Sequence, residues 1–194
     1  MQVVNYRKPK SSFLSLEKDL GLIVDLILKN NNLKKLLHYT TPDALEKPNL
    51  TEEESIALIN KNIKIIPKIL VDEEALNYLV ISFDGFAPNG RNPKFRDNVI
   101  MFDIICHVDQ WNLGDFKLRP YKIAGELDSM LNNAKLTGIG ELLFVSGNAL
   151  TLNSEFSGIT LMYEAIHGEE DKINTANPND QAAMIENFNN IWKK

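Results

Sequence analysis

Three histidines, one cysteine and a spaced set of aspartates are the side chains of this 194-residue chain that could do chemistry rather than packing. His38, His107 and His167 stand too far apart to form the His-x-x-x-His or Cys-x-x-Cys spacings that bring zinc ligands together, so no zinc site is expected. Cys106 and His107 adjoin, which invites a thiolate and imidazole pair, but consecutive residues of a strand point to opposite faces and the two cannot readily meet. A core thiol and a surface imidazole are expected instead. Asp84, Asp97, Asp103 and Asp109 could surround a hard cation only if two strands paired in a suitable register; solvated or turn-capping carboxylates are the simpler reading. Glu52, Glu53 and Glu54 fall in the first turn of an expected helix, where the dipole favours negative charge. Gly138-Ile139-Gly140 looks like part of a phosphate loop, yet it follows a helix pattern and precedes a strand pattern, the reverse of the order that aims backbone amides at phosphate. With no Gly-x-Ser-x-Gly, no Gly-Lys-Ser/Thr phosphate loop and no His-Glu-x-x-His, the expectation is no catalytic, cofactor-binding or metal residues, no cofactor, and no enzyme activity.

The elements that would position these residues are legible as periodicity. From Ser12 or Ser15 a helix carries Leu16, Leu20, Ile23, Val24 and Ile27 on one face. Asn30, Asn31 and Asn32 interrupt it, because Asn side chains compete for backbone hydrogen bonds, and Leu33, Leu36 and Leu37 resume an apolar stripe. Thr41-Pro42 fits a helix start that Pro48 stops within about two turns. Thr51 and Glu54 make a capping box for a helix over about 51–62. Ile63 to Val71, broken by Pro67, reads as an irregular edge, Tyr78 to Phe83 as a strand, and Asp84 to Pro93 as a long loop.

From Phe95 to Asp109 strict alternation puts Ile100, Phe102, Ile104, Cys106 and Val108 on one apolar face, and Val99, Met101, Asp103, Ile105 and His107 on a mixed one. Gly114 to Pro120 turns the chain into a helix carrying Ile123, Leu127, Met130, Leu131 and Ala134, stopped by Gly138 and Gly140. Leu142 to Ser146 and Ile159 to Ile166 are strands, with Leu150 to Phe156 either extending the first or forming a loop. Beyond Gly168 an acidic and Asn-rich linker leads to a last helix with Met184, Ile185, Phe188, Ile191 and Trp192 on one stripe.

Strand, strand, helix, strand, strand from Tyr78 onward defines an α+β fold: a mainly antiparallel sheet of two hairpins with one helix on a face, preceded by N-terminal helices and followed by a C-terminal helix. The expected organisation is a helical segment over 1–62, a core domain over 63–168, and a linker with its helix over 169–194. A net charge of −5 argues against a broad electrostatic grip on nucleic acid, since neutralising phosphates needs clustered Lys and Arg. The lone cysteine fits a reducing cytoplasmic setting. Met1 to Lys10 lacks an apolar run with a small-residue cleavage site, and no segment approaches the roughly 18 apolar residues of a membrane span, so neither export nor membrane association is expected.

The run Phe95 to His107, the helix Arg119 to Asn133 and Gly158-Ile159-Thr160-Leu161-Met162-Tyr163 resemble tail-terminator and tail-completion proteins of tailed bacteriophages, over roughly Ile63 to Gly168. Those proteins have a helical N-terminal part, a long β-hairpin, a helix and a second hairpin. The resemblance implies a virion neck component, made in the host cytoplasm, that assembles as a homo-oligomeric ring, commonly a hexamer, in contact with the tail tube and the connector or portal side. DNA would pass through such a ring without specific binding, and a weakly repulsive acidic lining suits that passage. The chain departs from compact members in its long helical lead to Asn62 and in its C-terminal helix. The family offers no catalytic residues to carry over, so the expected site is an interface: Asp84, Arg91, Phe95 and Arg96 around the 84–93 loop, and Phe188 and Trp192 on the last helix, because aromatics and Arg dominate interface energetics. A small partner-binding adaptor and an enzyme with an unrecognised site are the competing classes.

Overall fold

The computed structural model describes residues 13, 16–65, 75–91, 95–136 and 141–167. Helix α1 (Leu16–Lys29) presents Ile23, Val24 and Ile27 to the interior, three- and four-residue spacing placing them on one face. It ends where expected, because the Asn30 side chain accepts the Leu33 N–H at 3.0 Å and so starts α2 (Asn31–His38) in a new direction. Residues 41–47 form successive turns rather than a helix. The Thr51–Glu54 capping box closes in both directions, but α3 (Glu52–Ala57) stops well short of residue 62. Asn60 adopts φ 66°, and its N–H binds the Ile63 carbonyl, while the buried Asn62 amide donates to the carbonyls of Leu37 and Asn77. These local bonds outcompete another helical turn.

Five strands follow in the order β1-β2-β3-β5-β4: β1 (Ile63–Lys64), β2 (Asn77–Pro88), β3 (Arg96–His107), β4 (Leu143–Thr151) and β5 (Phe156–His167). The two-residue β1 runs parallel to β2 and every other pair is antiparallel, so the expected α+β architecture of two hairpins is what the chain adopts. Helix α4 (Arg119–Leu131) connects them, with Pro120 in its first turn, where a missing N–H costs nothing.

Two strand boundaries differ from the sequence expectation, and one that it left open is resolved. The 84–93 loop is shorter, because β2 continues to Pro88 through a bulge between Asp84 and Ala87, with Gly85 at φ 68°. Val108, expected on the apolar face of the strand, lies past its end in a short 3₁₀ turn and is exposed. Strand β4 runs on to Thr151, and the Asn153 side chain then accepts the N–H groups of Glu155 and Phe156, both at 2.8 Å, closing the second hairpin. The expected helix stop at Gly138 and Gly140, and everything after His167, lie outside the described residues.

The alternation read on β3 sorts the core. Ile100, Phe102, Ile104 and Cys106 are fully buried and join Leu79, Ile81, Leu161 and Tyr163 of the flanking strands, covered by Ile23, Leu33 and Leu36 of α1 and α2 and by Ile123 and Leu127 of α4. Helices and sheet therefore share one apolar cluster. On the opposite face Tyr78, Val80, Ile105 and Phe156 form a smaller one. Within the larger cluster the Tyr163 hydroxyl donates to Asp128 of α4 at 2.8 Å, and the buried His167 ring bonds the Asp19 carboxylate, tying the end of β5 to the first turn of α1. No described helix is long and apolar enough to cross a membrane.

Candidate interaction surfaces

The residues singled out for chemistry are dispersed or committed. Asp84 lies across from Val99, Asp97 from Ala87 and Asp103 from Val80. Asp97 and Asp103, six residues apart on one strand, are separated by about 20 Å. Asp97 accepts the Asn89 amide, Asp103 the Thr160 hydroxyl, and Asp109 sits beyond the strand end, so the four aspartates do not converge. Among the described residues no group of three or more His, Cys, Asp or Glu is placed to hold a metal ion. Glu54, which borders a shallow pocket with His38, Lys61 and Asn62, is held below the usual carboxylate range by the Thr51 backbone N–H and hydroxyl that it caps.

Cys106 is buried at 0% exposure, and burial pushes its thiol up to about 12, although the Arg119 charge pulls the other way. The native protein is therefore expected to leave Ellman's reagent uncoloured at pH 8, with one thiol appearing on addition of denaturant. Colour at the rate of a free thiol in native buffer would show that β3 is not packed as described.

Of the expected interface residues, Arg91, Phe95 and Arg96 come together at the tip of the β2–β3 hairpin. Arg91 is exposed and its backbone N–H binds Asn89 Oδ1 at 3.0 Å; Phe95 is half-buried, and its carbonyl accepts the Arg96 guanidinium at 3.1 Å. Asp84 stands lower on the strand, exposed, its carboxylate taken by the N–H of Gly85. Phe188 and Trp192 lie outside the described residues.

Two surfaces went unread in the sequence. Ten large apolar side chains stand exposed among the described residues, and seven fall in two places. The first surrounds the loop between β3 and α4, where Val108, Phe116, Leu118 and Tyr121 are exposed and Trp111 is half-buried. The loop is closed by the Leu113 N–H on the Lys117 carbonyl and the Arg119 N–H on the Trp111 carbonyl. Inside it Gly114, Asp115 and Phe116 all have left-handed backbone, φ 82°, 47° and 60°, which sets the Phe116 ring fully in solvent. Left-handed φ is uncommon for a bulky residue and is a feature that surrounding contacts must hold in place. An aromatic next to Gly-Asp in a turn was the available signal.

The second surface is the start of β4. Leu143, Phe144 and Val145 are 49%, 46% and 54% exposed, three consecutive apolar residues on a strand that pairs only with β5. From Leu142 to Thr151 there is no charge and no proline, the devices that usually blunt a free edge. The other edge is protected: β1 covers part of β2, and the Gly85 bulge, Asp84 and Pro88 interrupt the rest. An unbroken apolar run at 142–145 was legible, but its place at the sheet edge was not.

The YomW family model matches residues 30–165, from the Asn30 cap to two residues short of the end of β5, and so takes in α2, α3 and α4 as well as the sheet. No curated protein matches the chain.

Proposed function

The chain belongs to the YomW family, and from that premise we propose that it is a structural virion protein of a tailed phage, a tail-terminator or tail-completion component that forms a ring in the neck and closes the tail or joins it to the head. The observation that carries this reading is the distribution of exposed apolar surface: two separate patches, one an aromatic loop and one an uncharged edge strand, on a chain whose core is already well filled. Patches of this kind mark protein–protein contact. The family's name, which suggests a Bacillus phage region, and the hairpin, helix, hairpin order support the same reading. On this reading the protein acts by shape-matched contact with its own copies and with neighbouring tail and connector proteins, and DNA passes through without specific binding.

Electron microscopy of particles made without this gene product tests the assignment. Unjoined heads beside tails of normal length place the protein at the head-to-tail joint; tails of uncontrolled length make it the terminator; intact, infectious particles of normal dimensions would remove it from the neck altogether.

A further inference from the structure

We propose that this fold has a built-in binding site for one water molecule, held between His167 of β5 and Asn98 of β3 beneath the first turn of α1. The water completes a hydrogen-bonded chain from Asp19 through His167 to Asn98, whether or not copies of the protein form a ring. Burying an imidazole and a primary amide is costly unless each polar atom finds a partner. His167 is 0% exposed and Asn98 2%. The His167 ring meets the Asp19 carboxylate through Nδ1, which leaves Nε2 buried with no protein partner, and the Asn98 amide has none for either Oδ1 or Nδ2. The other buried side-chain atoms without a partner among the described residues are the amide oxygens of Asn77 and Gln110, whose nitrogens are bonded to the Leu36 and Ala75 carbonyls. Asn98 alone is buried with its whole amide unpaired.

The strand register brings these atoms to one place. Arg96 pairs with His167 and Asn98 with Ala165, so Asn98 and His167 are diagonal neighbours on one face of β3 and β5, with backbones about 7 Å apart. On β2, Phe83 pairs with Ile100, and its ring stands edge to face with the His167 ring at 5.5 Å. The line from Phe83 to His167 therefore crosses β3 midway between Ile100 and Arg96, which is at Asn98, and Asp19 of α1 closes the compartment from above. Arg96, opposite His167, does not fill the need, its Nη1 donating to the Phe95 carbonyl. Polar groups at this spacing are the kind that one intervening water joins. Water also fits the chemistry: it donates and accepts, so it pairs with Nε2 whichever ring nitrogen carries the proton, and with the carbonyl or the NH2 of the amide. Three polar contacts are typical of an internal water. One imidazole and one amide oxygen are too few ligands for a metal ion, and among the described residues no group of three His, Cys, Asp or Glu is placed to hold one.

Nuclear magnetic resonance of the full-length, isotope-labelled protein tests the site, with cross-relaxation recorded from the water frequency. The expected result is a signal with the sign of a long-lived bound water at the Asn98 side-chain amide protons and at His167 Hε1 and Hδ2, the carbon-bound protons that flank Nε2. Urea unfolding of Asn98→Leu supplies a second readout, whose sign separates a wet compartment from a dry one. Leucine has nearly the shape of asparagine. In a dry compartment it removes unpaired polar atoms and raises the midpoint, whereas in a wet one it breaks the chain and lowers the midpoint. Bound-water signals at both residues with a lowered midpoint support the site. Loss of the signal at either residue, or a midpoint at or above the parent's, overturns it; should the leucine variant fail to fold, the spectrum of the unaltered protein decides alone.

Discussion

Replacing Gly158 with alanine should cost about 3 kcal/mol of folding stability or more, the upper range for forcing atoms into a packed interior. Gly158 sits in β5 with Ile105 of β3 on one side and Leu150 of β4 on the other. A Cβ built there meets the Ile104 carbonyl oxygen at 1.7 Å and its carbon at 2.8 Å, and both are backbone atoms of the central strand. A flexible side chain could rotate away from such a methyl group; a carbonyl held in a ladder can yield only if β3 and β5 part. The sign makes this informative. At an ordinary interior strand position alanine is better than glycine by roughly 0.5–1 kcal/mol, because glycine gives up more conformational freedom on folding. Urea unfolding followed by circular dichroism separates the two: a midpoint lower than the parent, at unchanged slope, is the expected result. An alanine variant as stable as the parent would mean that the two strands do not approach as closely as described.

Gly158 also marks where the sequence stopped being readable. The alternation of Ile100, Phe102, Ile104 and Cys106 disclosed a strand with one apolar face, because a period of two needs no knowledge of neighbours. Asn30 and the Thr51–Glu54 pair disclosed helix starts for a similar reason, their bonds lying within three residues. What pairs with what is a different kind of fact. That β5 inserts between β3 and β4, and that a glycine is what lets it lie so close to Ile104, depends on residues more than fifty positions apart. The bulge at Gly85 was hidden behind loop composition: glycine and prolines within ten residues spell a loop, yet Ala87 and Pro88 still pair with Asp97 and Arg96. Edge position was hidden in the same way. Leu143, Phe144 and Val145 read as core by hydropathy, and only the strand order leaves them at the boundary. The hairpin-tip residues Arg91, Phe95 and Arg96 were placed together by turn chemistry, whereas Asp84 was drawn into that group by a loop that begins five residues later.

Arg119 offers the largest contrast between sequence and structure, and removing it should cost about 4 kcal/mol. A charged residue beside proline at a helix start reads as surface, yet Arg119 is 0% exposed and the largest fully buried side chain among the described residues. Its guanidinium donates to four main-chain carbonyls: Nε to Gln110 at 2.7 Å, Nη1 to Leu36 at 2.8 Å and to Tyr39 at 2.7 Å, and Nη2 to Thr41 at 2.8 Å. Leu36 and Tyr39 belong to the C-terminal end of α2, where unpaired carbonyls carry the negative end of the helix dipole, so the cation is held by helix-end and turn carbonyls. Burial lowers its pKa, but an arginine begins so high that it stays charged. The side chain thereby fastens α2, the turn after it and the 3₁₀ turn after β3 to the start of α4. Arg119→Met keeps the stem and deletes every donor, leaving acceptors buried without partners, which is the expensive half of breaking a buried bond. Arg119→Lys keeps the charge but, as a compact ammonium, cannot reach around this fork of carbonyls, so it should recover only part of the loss. Chemical unfolding of the two variants therefore orders them as parent above lysine above methionine. Equal stability of methionine and parent would refute the buried fork. Because the Arg119 N–H also closes the loop that presents Phe116, the lysine variant, still folded, should show faster hydrogen exchange at residues 111–118 than the parent.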